Sequence, residues 1–310
     1  MHLISIVIPT FEEEENIKNI INRVEDQFAD KKYDYEIIVI DNCSKDNTVK
    51  IVKNLINANK KIKLIVNNKN YGHSKSPFYG LLQTRGDAAI LMNADFQDPP
   101  ELINELIKKW RVGSKVVLLQ KMKSSENALI FFIRKLFYRF VNYISENQLT
   151  VDTTGSGIFD RQVLDQLKKI NDPNPYLRGL ISEIESEIDV LPFHQPKRMY
   201  GKTKNNLFIL FDFALLAIVK HSKLPLRMMT ISGLIISLLS LIIAFIFLIL
   251  KLFNWYSYSV GIAPMLIGIF AFGGLQLFFL GLLGEYILVI MNQVRNLPLV
   301  IEKERINFND

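Results

Sequence analysis

The sequence is poor in cysteine, and Cys43 is the single one among 310 residues. A lone cysteine excludes an internal disulfide and fits the reducing environment of the cytoplasm. The sequence also lacks an N-terminal signal peptide, because residues 1–10 are a strand-like run with four glutamates close behind it. These absences exclude a disulfide-stabilised secreted protein, and we expect the N-terminal part of the chain to lie in the cytoplasm.

Charged residues are absent from two long stretches near the C-terminus. Residues 228–250 carry none, residues 252–284 carry none, and Lys251 alone separates the two stretches. Each stretch supplies the roughly 20 apolar residues that a helix needs to cross a bilayer. A buried helix of a soluble protein rarely stays apolar over such a length, so the sequence predicts two transmembrane helices.

Basic residues flank the two predicted spans on their outer sides. They are Lys197, Arg198, Lys202, Lys204, Lys220, Lys223 and Arg227 before the first span, and Arg295, Lys303 and Arg305 after the second. The connecting loop, residues 253–261, is uncharged and carries aromatic residues suited to a membrane interface. This asymmetry predicts a multi-pass protein of the inner or cell membrane with both termini in the cytoplasm.

The net charge of +6 raises nucleic acid as a partner. The basic residues gather beside the predicted spans, however, and attraction to anionic lipid headgroups explains them. We therefore expect the lipid bilayer as a partner and no nucleic acid.

The second span also contains Gly268, Gly273, Gly274, Gly281 and Gly284. These small residues permit close helix contact and favour helix pairing or a homo-oligomer through the transmembrane helices.

Strand-like and helix-like patterns alternate four times in the N-terminal part of the chain. The strand-like runs are residues 3–8, 36–40, 63–66 and 88–92, and each ends in polar residues. Such alternation predicts an α/β fold with a doubly wound, mostly parallel sheet. A dinucleotide-binding domain shares the alternation, but it requires G-x-G-x-x-G in the first turn, where this chain has Pro9-Thr10-Phe11-Glu12-Glu13. Carboxylates there would repel a pyrophosphate, so we discard the dehydrogenase interpretation.

The turn after the fourth strand-like run carries a chemical signal. It contains Asn93, Asp95, Gln97 and Asp98, and two prolines then stop the strand before a helix. In an open α/β sheet, ligands bind just outside the carboxyl ends of the strands. Oxygen ligands two residues apart on such a turn suit a Mg²⁺ or Mn²⁺ ion that also holds substrate phosphates. A polar loop with a helix cap explains the same residues, so this turn alone leaves both interpretations open.

Five motifs in series resemble those of family 2 glycosyltransferases. In chain order they are Ile8-Pro9-Thr10-Phe11-Glu12-Glu13-Glu14-Glu15-Asn16-Ile17, Asp41-Asn42-Cys43-Ser44-Lys45-Asp46-Asn47-Thr48, Asn70-Tyr71-Gly72, Arg85-Gly86-Asp87 and Asn93-Ala94-Asp95-Phe96-Gln97-Asp98-Pro99-Pro100-Glu101. More narrowly, nearly the whole chain is similar to the membrane-anchored branch of dolichyl-phosphate mannose synthases and bactoprenol (undecaprenyl-phosphate) glucosyltransferases. Each motif alone is weak, but five in order before a paired membrane anchor are specific.

The resemblance implies a fold and an activity. The fold is a nucleotide-sugar-binding, doubly wound sheet of the glycosyltransferase A type in residues 1–205. An interfacial juxtamembrane helix and linker follow in residues 206–227, and a two-helix transmembrane anchor with a short cytoplasmic tail in residues 228–310. The activity is inverting transfer of a monosaccharide from a nucleotide-diphosphate sugar (UDP or GDP) to a polyprenyl phosphate. A divalent Mg²⁺ or Mn²⁺ cofactor would neutralise the departing diphosphate.

The resemblance also assigns residues to the donor side of the site. The nucleotide-sugar-binding residues would be Pro9, Glu13, Asp41, Asn70, Asn93 and Lys204. Among them, Asp41 would face the base. Asp95 and Gln97 would coordinate the metal, and Asp95 would also be catalytic, whereas Asp98 would support the loop.

The chain departs from the family pattern at two positions. The usual paired aspartates after the second strand are Asp41-Asn42 here, and the usual D-x-D is Asn93-Ala94-Asp95. Each change removes a charge and keeps an oxygen acceptor, so fewer carboxylates would hold a metal-diphosphate complex. The departures imply weaker metal affinity, a different donor or, in the extreme, a non-catalytic homologue.

The acceptor side falls to residues farther along the chain. Residues 151–161 resemble the family's acceptor segment, and Asp152 is the catalytic candidate there; an aspartate that caps a turn is the alternative. Glu183, at the position where many soluble relatives place their base, ranks second, because Glu183, Glu185 and Glu187 could equally form one solvated face. Residues 195–204 resemble a basic R-x-x-G-x-[ST]-K segment, in which Arg198 would grip a phosphate and Lys204 would add charge. An ordinary juxtamembrane basic cluster would look the same.

Two other functions stay open at the level of the sequence. The acceptor could be another membrane lipid, such as a diacylglycerol or a sphingolipid. The asparagines at positions 42 and 93 also leave room for a non-catalytic membrane partner with a degenerate site.

Overall fold

The computed structural model describes residues 1–30, 32–122, 153–196, 224–253, 262–295 and 297–308. Within these residues, eight strands form one sheet. The strands are β1 (Leu3–Thr10), β2 (Asp34–Asp41), β3 (Ile62–Asn67), β4 (Ala88–Leu91), β5 (Val116–Lys121), β6 (Thr153–Asp160), β7 (Asp189–Phe193) and β8 (Glu302–Ile306). The helices are α1 (Ile17–Asp26), α2 (Thr48–Ala58), α3 (Gly72–Leu82), α4 (Ile103–Arg111), α5 (Arg161–Lys169), α6 (Leu177–Ile184), α7 (Leu224–Phe253) and α8 (Ile262–Val294).

The strand order of the sheet is β7-β5-β6-β4-β1-β2-β3-β8. The strands β3, β2, β1 and β4 run parallel, and so do β5 and β7. β6 is antiparallel to both of its neighbours, and β8 is antiparallel to β3. The predicted doubly wound α/β arrangement is confirmed for β1 to β4. The sheet as a whole is mixed, because β6 and β8 run opposite to the other six described strands.

Two apolar layers cover the two faces of the sheet. The helix α1 buries Ile17, Ile20, Ile21 and Val24, which recur at helical spacing, and it packs with α2 and α4 on one face. The helices α3, α5 and α6 pack on the other face. The central strands are therefore apolar on both sides, and the polar residues of this unit concentrate in the turns at the strand ends.

The helices α7 and α8 contain most of the two uncharged stretches and are 30 and 33 residues long. The segment Phe272–Val294 has a mean hydropathy of 1.9, and none of its most apolar window is buried. Of the residues that the structure describes, this segment alone is long and apolar enough to cross a membrane. A second transmembrane helix stays a prediction. Residues 206–223 of the predicted interfacial segment lie outside the described residues, and residues 224–227 begin α7.

After α8 the chain returns to the sheet. The strand β8 pairs with β3 and forms one edge of the sheet, where the sequence predicts only a short tail. Side chains on two helices also bind this strand. Tyr79 Oη on α3 donates to Glu302 Oε1 at 2.9 Å, and Lys53 Nζ on α2 donates to Glu304 Oε2 at 2.6 Å. The last described residues of the chain are therefore part of the same folded unit as its first strand.

Candidate functional site

The carboxyl ends of the four parallel strands meet at one edge of the sheet. The turns that follow β1, β2, β3 and β4 lie there, and β1 pairs with β2 on one side and with β4 on the other. After β1 the chain crosses to β2 on one side, and after β4 it crosses towards β5 on the other side. The point between β1 and β4, where the crossing direction reverses, is where an open α/β sheet binds its ligand. The predicted residues at this edge are Pro9, Glu13, Asp41, Asn70, Asn93, Asp95 and Gln97.

Asp95 and Gln97 lie on the turn between β4 and α4. Phe96, between them, has φ of 61°, in the left-handed region, so the chain turns sharply at this position. Its ring is buried in the core, and the guanidinium of Arg23 lies 5.0 Å from the ring centroid. Asp95 Oδ1 accepts a hydrogen bond from Gln97 N at 3.1 Å. The turn therefore holds a carboxylate and an amide side chain two residues apart at the switch point.

Asp98 anchors this turn from within. Its side chain is completely buried, and Oδ2 accepts hydrogen bonds from Asn93 Nδ2 at 2.8 Å and from Ser156 Oγ at 2.6 Å. Burial raises the pKa of the Asp98 carboxyl, and the hydrogen bond from Ser156 opposes that effect. Asp98 thus joins the turn to β6, and Ser156 is a supporting residue that the sequence analysis missed.

The contact with Asp98 explains the asparagine at position 93. Asn93 Nδ2 donates to Asp98 Oδ2, and its backbone N–H approaches the same oxygen at 3.3 Å. A carboxylate at position 93 would have no proton to donate and would face a buried acidic group. Asn93 therefore supplies donors to one oxygen of Asp98, in addition to removing a charge from the candidate metal site.

Asp41 ends β2 at the same edge. Its side chain is completely buried, and Oδ2 accepts a hydrogen bond from Ser44 N at 2.9 Å. Its other oxygen, Oδ1, has no hydrogen-bond partner among the described residues. Burial is the main cause that raises the pKa of Asp41, and the nearby Asp46 charge adds to it. An unpaired buried acceptor of this kind is costly unless a ligand supplies the missing donor.

Asn42, the other departure from the family pattern, is the centre of a hydrogen-bond network. Its Nδ2 donates to Asn70 Oδ1 at 2.8 Å and to Gly72 O at 3.1 Å. Its Oδ1 accepts from Asn67 Nδ2 at 3.1 Å and from Tyr71 N at 2.8 Å. Two of these contacts need a donor, which an aspartate carboxylate does not have. The asparagine therefore fixes the β3–α3 loop, residues 68–71, beside Asp41.

The glutamates after β1 contact the turn after β2. Glu13 N donates to Thr48 Oγ1 at 3.0 Å, and Glu14 Oε2 accepts from Asn47 N at 2.8 Å. Pro9 lies half-buried near the end of β1. These contacts hold the first two turns together, and the Glu14 carboxylate therefore has a structural role.

The Arg85-Gly86-Asp87 motif lies away from this edge, at the beginning of β4. Asp87 Oδ2 accepts a hydrogen bond from Leu3 N at 2.9 Å and lies 3.1 Å from His2 Nδ1. A Cβ atom on Gly86 would lie 2.7 Å from Leu3 O, so the close approach of the two backbones requires glycine. This motif secures the N-terminus to the sheet.

The acceptor-side residues are mostly outside the described part of the chain. Asp152, Arg198 and Lys204 all lie there, so their roles stay predictions. Glu183, the second candidate for a base, is exposed on α6. Arg178 on the same helix donates from Nη1 to Thr153 O at 3.0 Å and joins α6 to the start of β6.

The side chains on the β4–α4 turn fit a hard divalent cation in kind. Asp95 and Gln97 present oxygen ligands, which Mg²⁺ and Mn²⁺ prefer. Among the described residues, no group of three His, Cys, Asp or Glu side chains could hold a metal ion. A sparse protein set is nevertheless usual for Mg²⁺, which binds through one or two carboxylates and completes its shell with water and substrate phosphates.

Comparison with known proteins gives the family. Residues 5–168 match the family model of glycosyl transferase family 2. The chain is 34% identical over 299 residues to an uncharacterised glycosyltransferase of Synechocystis sp., with 96% of this chain and 94% of that protein covered. It is 31% identical over 303 residues to the bactoprenol glucosyl transferase of Shigella phage SfX, with 97% and 99% covered.

Solved structures share the fold at low sequence identity. Glucosyl-3-phosphoglycerate synthase from Mycobacterium tuberculosis, solved with Mn²⁺, UDP and glucosyl-3-phosphoglycerate, matches with a TM-score of 0.50 at 18% identity, over 70% of this chain and 78% of that one. Mannosyl-3-phosphoglycerate synthase from Rubrobacter xylanophilus matches with a TM-score of 0.50 at 14% identity, over 75% of each chain. The mixed α/β sheet is thus of the glycosyltransferase A type. The chain belongs to glycosyltransferase family 2, and it is a glycosyltransferase.

Proposed function

We propose that the protein transfers a monosaccharide from a nucleotide-diphosphate sugar to a polyprenyl phosphate on the cytoplasmic face of a membrane. The observation that carries the proposal is the meeting of the Asp41 and Asp95 turns at one strand-end edge. This edge belongs to a chain similar over 97% of its length to a bactoprenol glucosyl transferase, whose name supports a polyprenyl lipid as acceptor.

The turns after β2 and β3 would bind the nucleotide. Asp41 Oδ1 would accept a hydrogen bond from an N–H of the base, after the atoms that cover it move aside. The network around Asn42 holds Asn70 beside this position, at 2.8 Å from Asn42 Nδ2. Glu13, on the neighbouring turn, would complete the pocket on the β1 side.

The turn after β4 would hold the diphosphate end of the donor. Asp95 and Gln97 would coordinate a divalent cation, while Asp98 and its partner Ser156 keep the turn in place. The cation, when bound, supplies positive charge that stabilises the departing diphosphate. Asp95 is thereby the residue on which catalysis depends most within the described chain.

The reaction exchanges one bond at the anomeric carbon. An oxygen of the lipid phosphate attacks that carbon from the face opposite the diphosphate, and the bond to the diphosphate oxygen breaks. The nucleoside diphosphate leaves with the electron pair, and the sugar is inverted. The lipid phosphate is already ionised at neutral pH, so positioning and charge stabilisation contribute more than removal of a proton.

The acceptor requires that the site lie beside a membrane. We assign α7 and α8 to two membrane-spanning helices, and residues 1–205 together with β8 to a cytoplasmic catalytic domain. Asp152 would lie near the reacting centre, and Arg198 and Lys204 would bind phosphate in the segment just before the membrane.

A transfer assay tests the proposal. Membranes that contain the full chain would be supplied with labelled UDP- and GDP-sugars, Mn²⁺ and undecaprenyl or dolichyl phosphate. We expect the label in an organic-extractable lipid, and we expect mild acid to release the labelled sugar from it, since a sugar phosphodiester is acid-labile. Transfer into an acid-stable glycolipid would refute the polyprenyl acceptor, and no transfer from any common donor would refute the proposed function.

A further inference from the structure

The C-terminal segment contacts the loop that carries Asn70. Residue 301 immediately precedes β8, and Ile301 O accepts a hydrogen bond from Asn68 N at 3.0 Å. Asn68 is the first residue of the β3–α3 loop. The segment that follows the long helix α8 therefore contacts the β3–α3 loop through its backbone, one residue beyond the pairing of β8 with β3.

The side chain of Tyr71 closes this contact. Its Oη accepts a hydrogen bond from Ile301 N at 3.1 Å and donates to Asn68 Oδ1 at 2.8 Å. Together with the bond from Asn68 N to Ile301 O, these bonds join three residues in a closed ring. One hydroxyl thus links the C-terminal segment to both ends of a loop that is only four residues long.

The same loop is joined to the donor side of the site. Tyr71 N donates to Asn42 Oδ1 at 2.8 Å, and Asn70 Oδ1 accepts from Asn42 Nδ2 at 2.8 Å. Asn42 directly follows Asp41, the candidate contact for the base. A chain of hydrogen bonds therefore runs from Ile301 through Tyr71 to Asn42.

We propose that Tyr71 is a positioning residue through which the C-terminal segment holds the β3–α3 loop in the shape that binds the nucleotide donor. This inference rests on the proposed function, because it names the nucleotide as the ligand that the loop serves. The hydroxyl bonds to Asn68 and Ile301, and neither is a candidate catalytic residue. Its loss therefore affects donor binding and leaves the chemical step and the lipid acceptor unaffected.

The chain offers a matched control in Tyr79. Its hydroxyl also contacts the C-terminal strand, through Glu302 Oε1 at 2.9 Å, but Tyr79 lies on α3 outside the loop. Tyr71→Phe and Tyr79→Phe each remove one hydroxyl contact with the C-terminal segment. We expect Tyr71→Phe to raise KM for the nucleotide sugar about tenfold, as the loss of one to two hydrogen bonds would. Its kcat and its KM for the lipid should stay within about twofold, and Tyr79→Phe should leave all three constants unchanged.

A second pair of variants tests the same ring at an exposed position. Asn68→Ala removes the acceptor of the tyrosine hydroxyl, whereas Asn68→Asp keeps an oxygen acceptor there. We expect Asn68→Ala to raise the donor KM and Asn68→Asp to retain the native value. The exposed position favours folding of both variants, so they test the inference if Tyr71→Phe is poorly folded.

Three results would overturn the inference: equal donor KM for Tyr71→Phe and Tyr79→Phe, a fall in kcat with donor KM unchanged, or equal effects of the two Asn68 variants.

Calorimetry of UDP and GDP binding separates this inference from the proposed function. If wild-type protein transfers no sugar, the proposed function fails. Weaker nucleotide binding by Tyr71→Phe but not by Tyr79→Phe would then still support the positioning role, and equal binding by both variants would exclude it.

Discussion

Replacing Asn42 with aspartate restores the residue that is usual in the family, and yet we expect Asn42→Asp to destabilise the protein. Asn42 Nδ2 donates to Asn70 Oδ1 and to Gly72 O, and an ionised carboxylate can donate to neither. Both hydrogen bonds would be lost, and two pairs of acceptor oxygens would face each other. The side chain is only 6% exposed, so water cannot readily replace the missing donors.

The magnitude follows from this count of bonds. Each lost hydrogen bond costs about 0.5–1.5 kcal/mol, so the two together cost about 1–3 kcal/mol. The new charge, beside the buried carboxyl of Asp41, adds to the penalty, and we expect a total of about 2–4 kcal/mol. For a folded unit of about 200 residues this corresponds to a Tm about 5–10 °C lower.

Thermal unfolding of the full chain in detergent, followed by tryptophan fluorescence at pH 5 and pH 8, measures this effect. Protonation of the introduced carboxyl restores one donor, so the gap in Tm from wild type should narrow at the lower pH. Asn104→Asp is the control, because Asn104 is exposed and its amide donates to Gln27 Oε1 at 3.1 Å on the surface. An Asn42→Asp variant that melts within about 2 °C of wild type at pH 8, or a gap that widens at pH 5, would refute the reasoning.

Three further predictions follow from the same edge of the sheet. Asn93→Asp places a carboxylate against buried Asp98, and we expect a lower Tm in thermal unfolding and about tenfold weaker donor binding by calorimetry. Burial raises the pKa of Asp41 above the ordinary 3.8, so the charged carboxylate, which is the stronger acceptor, is lost at a higher pH, and donor KM should rise as the pH falls. Asp41→Asn keeps an acceptor at every pH and should abolish that dependence. In Gly157→Ala the new Cβ would lie 2.1 Å from Val117 O, so we expect a loss of more than about 4 kcal/mol or no soluble protein.

Each of these predictions can fail in a definite way. Tighter donor binding by Asn93→Asp would show that the asparagine is only a lost metal ligand. A donor KM with the same pH profile in wild type and in Asp41→Asn would remove Asp41 from the nucleotide pocket. A Gly157→Ala variant with native Tm would contradict the close approach of β5 and β6 at that residue.

The parts of the fold that the sequence predicts are those with a clear hydrophobic period. Residues such as Ile17, Ile20 and Val24 mark the buried face of α1 without any knowledge of its neighbours. The strand β8 has no such signal, because Glu302–Ile306 contains a single apolar residue. Its extended state depends on pairing with β3, a contact between residues more than 200 positions apart, which local patterns do not record.

The candidate site divides in the same manner. The positions of Asp41 and Asp95 could be predicted, because polar residues that end parallel strands must meet at one edge of the sheet. The roles of Asn42 and Asn93 could not, since the sequence shows only that each replaces a carboxylate. Their partners come from other turns and from β6, and only the folded chain shows that both amides are needed as donors.

Calorimetric titration of wild type and Asp95→Asn with UDP and with GDP, each with and without Mn²⁺, tests most directly whether the β4 turn is a metal-assisted nucleotide site. We predict that Mn²⁺ strengthens binding of one of the two nucleotides to wild type at least about tenfold, and that Asp95→Asn loses this gain while keeping the metal-independent affinity. Equal strengthening by Mn²⁺ in wild type and Asp95→Asn would contradict the account.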